Sequence, residues 1–224
     1  SNFVILLPRA LFHIVEEALI GIDVELVDTA DMEKDDLLLS YNKHFFVSGD
    51  MGGEKTHADF NKLTSARLFY LHAWMVMTNA ENVLHLENDN LIYFDFAEWL
   101  HNVSDCGMEV ALTCRQMTPQ DRFMVAGVVY IRNSSSLSLV LRSSLELLQL
   151  GKDKVVQLMG THWINDMSLL GYFYWHHMTG GHPPGQYTPP ATLSILPEGG
   201  MGGLGSDDPH MHVDQIRQCV WKKA

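Results

Sequence analysis

A short apolar run that stops abruptly at polar residues is the strongest signal in the chain. Residues Val83 to Leu86 are followed by four polar residues, Glu87 to Asn90, and apolar residues then resume. A short run of this kind after a long helical pattern is typical of a buried strand in an α/β sheet. Ligands collect outside the carboxyl ends of such strands, where side chains two residues apart face the same way. The pattern therefore predicts that Glu87 and Asp89 face one spot, although a polar turn after a strand has the same pattern.

The first residues predict a strand, a helix and a second strand. Phe3 to Pro8 is a buried strand ended by proline, Ala10 to Ile20 has apolar residues at helical spacing, and Val24 to Val27 is the second strand. Crossovers of this length favour a parallel sheet. Two further short apolar runs are strand candidates, Leu37 to Leu39 and His44 to Val47.

The rest of the chain continues to alternate between segments with apolar residues at helical spacing and short apolar runs typical of strands. The predicted elements are helices at 59–78, 95–103, 134–150 and 161–177, and strands at 109–114 and 123–132. Gly127 lies inside the last strand, where glycine marks a bulge or a close backbone approach. Residues 179–208 are rich in Gly and Pro and predict a long loop, which in a compact domain is functional or disordered. The alternation predicts an α/β fold with one domain over residues 1–224.

The charge balance narrows the classes of partner. Lys and Arg number 15 against 27 Asp and Glu, so the formal net charge is −12. A chain this acidic is a poor candidate for binding nucleic acid or anionic membranes, but a bound cation can reverse the local field for a phosphate ligand. No apolar run approaches the roughly 18 residues of a transmembrane segment, so none is expected.

Cysteine usage and the first residue bear on context. Cys106, Cys114 and Cys219 are odd in number and lack zinc-like spacing, which favours reduced thiols in a compartment such as the cytoplasm. The sequence starts at Ser1 rather than Met, so further domains of a longer polypeptide remain open.

Glu87-Asn88-Asp89 resembles the Asp-x-Asp motif of the GT-A glycosyltransferases, with Glu at its first position. In that family the motif ends a sheet strand and holds a divalent metal against the diphosphate of a sugar nucleotide. The resemblance implies a Rossmann-like GT-A domain with a mostly parallel central sheet and helices on both faces. It also implies Mn²⁺ or Mg²⁺ as cofactor, which is consistent with hard carboxylate ligands.

The order of further residues extends the resemblance along most of the chain. GT-A relatives often carry an Arg before the motif strand, an acidic residue at the start of a late helix, and a C-terminal metal-binding His. Arg67 and Asp166 match the first two places, and Asp166 is the implied catalytic base. The implied substrate-binding residues are Pro8, Asp28, Arg67, Asn88 and Gly127, and the implied metal ligands are Glu87, Asp89, His212 and His210.

Plainer interpretations of these residues remain open. Arg67 also fits a surface or core-edge cation, and Asp166 fits an acidic residue that the helix dipole favours at a helix start. A given His among the 12 in the chain is more often structural or exposed than a metal ligand.

The activity implied by the resemblance is metal-assisted transfer of a sugar from a nucleoside-diphosphate sugar, in the first instance a UDP-sugar. The acceptor would be a hydroxyl of a glycan or of a protein-linked glycan, as for a hexosyltransferase. One alternative is a metal-dependent hydrolase using Asp residues and the histidines His176, His177, His210 and His212. Another is a non-catalytic interaction domain with a GT-A-like fold. A dinucleotide enzyme is disfavoured because no Gly-x-Gly-x-x-Gly follows the first strand.

Overall fold

A computed structural model describes residues 3–46, 55–87, 107–114, 124–159, 164–173 and 193–196. The strands and helices alternate, which confirms the α/β class. The strands are β1 (Phe3–Leu7), β2 (Val24–Asp28), β3 (Val83–Leu86), β4 (Val110–Cys114), β5 (Met124–Ile131) and β6 (Leu193–Leu196). The helices are α1 (Phe12–Ala18), α2 (Asp36–His44), α3 (Lys55–Thr78), α4 (Ser134–Gln149), α5 (Lys152–Met159) and α6 (Asp166–Phe173), with 3₁₀ turns at Arg9–Leu11 and Thr29–Met32.

The first two strands form a parallel pair, as the N-terminal pattern predicts. Phe3 pairs with Val24 and Leu7 pairs with Asp28, so both strands end at the same edge. Helix α1 connects them and is followed by Gly21, whose φ of +86° suits glycine after a helix end.

The other described strands form a mixed sheet rather than a mostly parallel one. Its order is β3-β5-β4-β6. Strand β5 lies between β3 and β4 and is antiparallel to both, whereas β6 is parallel to β4. Strand β6 falls inside the loop predicted at 179–208, so at least four residues of that loop belong to the sheet.

The strand predicted at Leu37 to Leu39 is wrong, because these residues lie in helix α2. The side chain of Asp35 accepts hydrogen bonds from the backbone N–H groups of Leu37 and Leu38, both at 3.0 Å, and so caps the helix. Leu38 and Tyr41 are buried three residues apart on one helix face. His44, which begins the second run predicted as a strand, is the last residue of the same helix. A run of three apolar residues occurs both in strands and in short helices, so this pattern alone does not distinguish the two.

The core lies between the helices and β5, and it positions the junction between α3 and β3. Helices α3, α4 and α6 pack on one another, and α6 also packs on β5. Asn79, with φ of +53°, follows the last residue of α3, a common way for a helix to end. The chain then enters β3, so the long helix and the strand before Glu87 form one continuous unit. Fully buried members of the core include Phe69, Met75, Val129, Ile131, Leu137 and Leu147.

Candidate functional site

Three charged residues from distant parts of the sequence meet beside the end of β3. One guanidinium nitrogen of Arg67, Nη2, pairs with Oε1 of Glu87 and donates to Oδ2 of Asp166. The side chain of Asp166 is only 6% exposed, whereas those of Arg67 and Glu87 are 23% and 25% exposed. The structure therefore brings together three of the residues singled out from the sequence.

The position of Arg67 follows from the surrounding helix. The nearby α3 residues Ala66, Leu68 and Phe69 are all buried, so the Arg67 side chain leaves the helix at the edge of the core. A charge at such a place is tolerated when it is paired, because desolvation otherwise makes it costly. The two carboxylates supply that pairing, and Arg67 is therefore not a simple surface cation.

Asp166 is held by a tightly capped helix start. The side-chain oxygen of Asn165 accepts from the backbone N–H of Ser168 at 3.1 Å, and the Ser168 hydroxyl oxygen accepts from the Asn165 N–H at 2.8 Å. This reciprocal arrangement is a capping box in which Ser replaces the usual Glu or Gln. Asp166 is the first residue of α6, where the helix dipole favours a negative charge. The cap and the dipole together stabilise a carboxylate that is buried.

Glu87 is anchored to the sheet by its backbone. Its N–H donates to the carbonyl of Gly127 at 2.9 Å, one step beyond the paired residues Leu86 and Val128. The register of β4 on β5 also shifts here: Leu112 pairs with Val129, but Thr113 pairs with Val125. Gly127 lies within this irregularity, which fits a bulge, one of the two features that a glycine inside a strand marks.

His85 is a member of the site that the sequence analysis missed. It lies two residues before Glu87 on β3, and its pKa is lowered to about 4, first by burial and then by the nearby Arg67 guanidinium. The imidazole is therefore neutral near pH 7. The period-two spacing from Glu87 is the signal that would have found it.

Two buried nitrogen atoms of the site have no hydrogen-bond partner among the described residues. They are Nε of Arg67 and Nε2 of His85. A buried polar atom without a partner costs about 1–3 kcal/mol, so such atoms in native proteins call for an explanation. Contact with a polar ligand is one such explanation.

Burial also affects a tyrosine next to the cluster. The pKa of Tyr41 is raised by burial, and the charge of Asp166 adds to that rise. Its hydroxyl donates to the backbone carbonyl of Lys62 at 2.8 Å. Tyr41 is thus a neutral, structural neighbour.

Pro8 and Asp28 lie at the common carboxyl edge of β1 and β2. Asp28 on β2 pairs with Leu7 on β1, and Pro8 is the next residue after Leu7. The Pro8 carbonyl accepts from the N–H of Leu11 at 2.9 Å, and Asp28 Oδ1 accepts from the N–H of Ala30 at 3.0 Å. Their predicted contact with a nucleotide stays a prediction.

Several predicted residues lie outside the part of the chain that the structure describes. These are Asn88, Asp89, His176, His177, His210 and His212, together with the helix predicted at 95–103. Among the described residues, no group of three or more His, Cys, Asp or Glu is arranged to hold a metal ion. Within those residues there is also no helix with the length and apolarity needed to cross a bilayer. The metal site therefore stays a prediction.

Comparison with known proteins places the fold. No protein-family model matches the chain, and no curated protein sequence does. The chain is similar in structure to mouse xyloside xylosyltransferase 1 in its apo form, with a TM-score of 0.55 and 12% sequence identity. The match covers 78% of this chain and 68% of that one. The described fold is thus similar to that of this xylosyltransferase. At this identity the likeness concerns the fold alone, and it confirms the predicted fold class.

Proposed function

We propose that this protein is a glycosyltransferase that moves a sugar from a nucleoside-diphosphate sugar, a UDP-sugar in the first instance, to a hydroxyl of a glycan acceptor. The observation that carries the proposal is the Arg67–Glu87–Asp166 cluster, which lies at the carboxyl end of a sheet strand. Ligands of α/β proteins gather at this kind of edge. The fold shared with a xylosyltransferase supports the same reaction class.

The donor side of the reaction falls to Arg67 and to a divalent cation. Glu87 is a hard oxygen ligand at the expected edge, so its chemistry fits Mn²⁺ or Mg²⁺, with Asp89 and His212 or His210 as the other candidate ligands. When bound, the cation supplies Lewis-acid stabilisation of the charge that develops on the leaving diphosphate. Arg67 donates charge-assisted hydrogen bonds to the same oxygens.

The remaining donor contacts come from the sheet edges. Pro8 and Asp28, adjacent at the end of β1 and β2, contact the nucleoside. Gly127, whose carbonyl accepts a hydrogen bond from the Glu87 N–H, has no side chain and leaves room for the sugar beside β5. Asn88 adds a polar contact to the donor.

The acceptor side falls to Asp166. In an inverting reaction its carboxylate accepts the proton of the acceptor hydroxyl as that oxygen attacks the sugar. In a retaining reaction it binds and orients the acceptor instead. Either role uses a carboxylate held rigidly at the capped start of α6.

The first experiment measures thermal stability with a panel of nucleoside diphosphates and sugar nucleotides, each with and without Mn²⁺. A ligand present at 100 times its Kd stabilises by about 2.7 kcal/mol, which is visible as a higher Tm. We expect a Mn²⁺-dependent rise with at least one nucleotide, which Asp89→Ala abolishes. Asp153→Ala, an exposed acidic residue in the first turn of α5, is the matched control and keeps the rise. No shift with any nucleotide in the wild type would overturn the proposal.

A further inference from the structure

The arrangement of Arg67 raises the question of how Asp166 meets an acceptor. The same nitrogen, Nη2, contacts both carboxylates. Oδ2 of Asp166 therefore already accepts a hydrogen bond from the Arg67 guanidinium. Because this side chain is 6% exposed, little of it is open to another partner.

A diphosphate competes directly with Asp166 for this guanidinium. Arginine matches phosphate oxygens in a planar, bidentate geometry, and each such hydrogen bond is strengthened by charge. The donor carries more negative charge than one carboxylate. Both edges of the guanidinium that can bind a phosphate in this bidentate way, Nε with Nη2 and Nη1 with Nη2, include Nη2. Arg67 therefore cannot keep both carboxylate contacts and also bind a diphosphate in this geometry.

We propose that donor binding breaks the Arg67–Asp166 ion pair: the diphosphate draws Arg67 away, and Asp166 is thereby released to receive the acceptor hydroxyl. This inference rests on the proposed function. It makes Arg67 the element that links the donor site to the acceptor site. Before the donor binds, Asp166 is held in the ion pair and is unable to act on a hydroxyl.

The energetics couple the binding of the donor to the binding of the acceptor. A buried carboxylate that loses its cation is costly until a new hydrogen-bond donor arrives. The start of α6 offsets part of this cost through its dipole, and the acceptor hydroxyl offsets more. Donor binding thus raises acceptor affinity, and by linkage the acceptor raises donor affinity.

The charge count points in the same direction. Arg67 faces two carboxylates, so the described cluster sets one formal positive charge against two formal negative charges. An anion entering such a cluster gains when one carboxylate stops competing for the cation. Removing the charge of Asp166 is therefore expected to strengthen donor binding, the opposite of the usual effect of deleting a site residue.

The test measures the Kd of UDP with Mg²⁺ by calorimetry in wild type, Asp166→Asn and Asp153→Asn. We expect Asp166→Asn to bind UDP about tenfold more tightly, because Arg67 no longer has to leave a carboxylate. Asp153→Asn makes the same chemical change in the first turn of another helix and is expected to leave the Kd unchanged. Equal or weaker binding by Asp166→Asn overturns the inference.

A double-mutant cycle separates release of Arg67 from a general change in charge. In an Arg67→Gln background, Asp166→Asn is expected to give no gain in UDP affinity. A gain of the same size in that background would mean that Asp166 acts by simple repulsion, which overturns the inference. If Arg67→Gln does not fold, a crystal structure of the wild type with UDP and Mg²⁺ decides. Arg67 on the diphosphate and away from Asp166 supports the proposal, and Arg67 still on Asp166 overturns it.

The outcomes also separate this inference from the proposed function. A wild type that binds neither UDP nor any other nucleoside diphosphate in the panel overturns both. A wild type that binds one of them, with no gain in Asp166→Asn measured with that nucleotide, overturns the ion-pair exchange and leaves the proposed function standing.

Discussion

Two helices of this protein, α4 and α6, begin in closely similar ways. Each follows an Asn whose side-chain oxygen accepts from the backbone N–H of a Ser three residues later. The distance is 2.9 Å for Asn133 and Ser136, and 3.1 Å for Asn165 and Ser168. Each start also lies near an Arg–carboxylate pair. Local sequence therefore sets both helix starts by the same chemistry.

The two ion pairs differ in their exposure to water. At the start of α4, the side chains of Arg132 and Glu109 are 44% and 45% exposed, and Arg132 Nη1 lies 3.5 Å from Glu109 Oε1. The Ser136 hydroxyl donates to the other carboxylate oxygen of Glu109. At the start of α6, Asp166 is buried against Arg67. Water and salt screen the first pair, whereas the second forms in a less polar setting. The comparison teaches that burial, not the capping motif, distinguishes an ordinary surface pair from a candidate site.

The largest expected effect is the loss of stability in Arg67→Gln. This change leaves Asp166 buried without its cation, which costs about 3–5 kcal/mol for a fully buried pair. Because Arg67 is 23% exposed, we expect about 3 kcal/mol, measured by urea denaturation. The double variant Arg67→Gln/Asp166→Asn removes the charge of the buried Asp166 as well, while the more exposed Glu87 still loses its Arg67 contact, so it is expected to recover part of the loss. A loss below about 1 kcal/mol in the single variant would remove the distinction between the two pairs.

The pH dependence of stability should reveal the burial around the Arg67–Asp166 pair, because His85 lies beside Arg67. Burial and Arg67 lower the pKa of His85 to about 4, whereas an unfolded His titrates near about 6.5. Between these values the unfolded chain binds the extra proton, so the free energy of unfolding falls as the pH is lowered from about 6.5. The slope is at most about 1.4 kcal/mol per pH unit and is half of that at pH 6.5, so the fall amounts to about 1.6 kcal/mol between pH 6.5 and 5.

Replacing His85 tests this assignment. His85→Leu is expected to flatten the fall in stability between pH 6.5 and 5, measured by urea denaturation at several pH values. His72, whose pKa is also lowered by burial, is expected to contribute to the slope that remains. An unchanged slope in His85→Leu would show that the imidazole is not held neutral beside Arg67.

The sequence predicted much of this frame because the periodic signals were local. The strand at Val83 to Leu86 and the long helix before it are confirmed, and β5 is irregular near Gly127, where a bulge or a close backbone approach is predicted. A long helix shows its period over many residues, and a strand followed by polar residues has a clear end.

Other features depended on contacts between distant residues. Nothing in the local sequence placed β5 between β3 and β4, which makes the sheet mixed. Helix α5 was not predicted, and α2 was mistaken in part for a strand, because eight- or nine-residue helices repeat too few times to show their period. Arg67 and Asp166 were each singled out, but 99 residues separate them, and only tertiary packing brings them together.

The two caps themselves should differ in strength. Asn165→Ala removes the acceptor of a buried Ser168 N–H, so we expect a loss of about 2 kcal/mol, the upper end for a cap. Asn133→Ala lies in a more exposed place, where water can replace the lost contact, and about 1 kcal/mol is expected. Urea denaturation of both variants gives the comparison. Equal losses would mean that burial does not modulate the cap.

The smallest effect is expected for Arg132→Gln, the surface counterpart of Arg67→Gln. An exposed pair contributes about 0.5 kcal/mol or less, since water competes for both groups and long side chains lose freedom on pairing. Glu109 keeps its contact with the Ser136 hydroxyl, so the start of α4 is not left with an unpaired acid. Urea denaturation should give a small difference in the free energy of unfolding from wild type in about 0.15 M salt. The difference should be smaller still in about 1 M salt, which screens the pair. A loss near the roughly 3 kcal/mol expected for Arg67→Gln would mean that the exposed pair stabilises its helix as much as the buried pair stabilises α6. Burial would then no longer explain why only the second pair forms a candidate site.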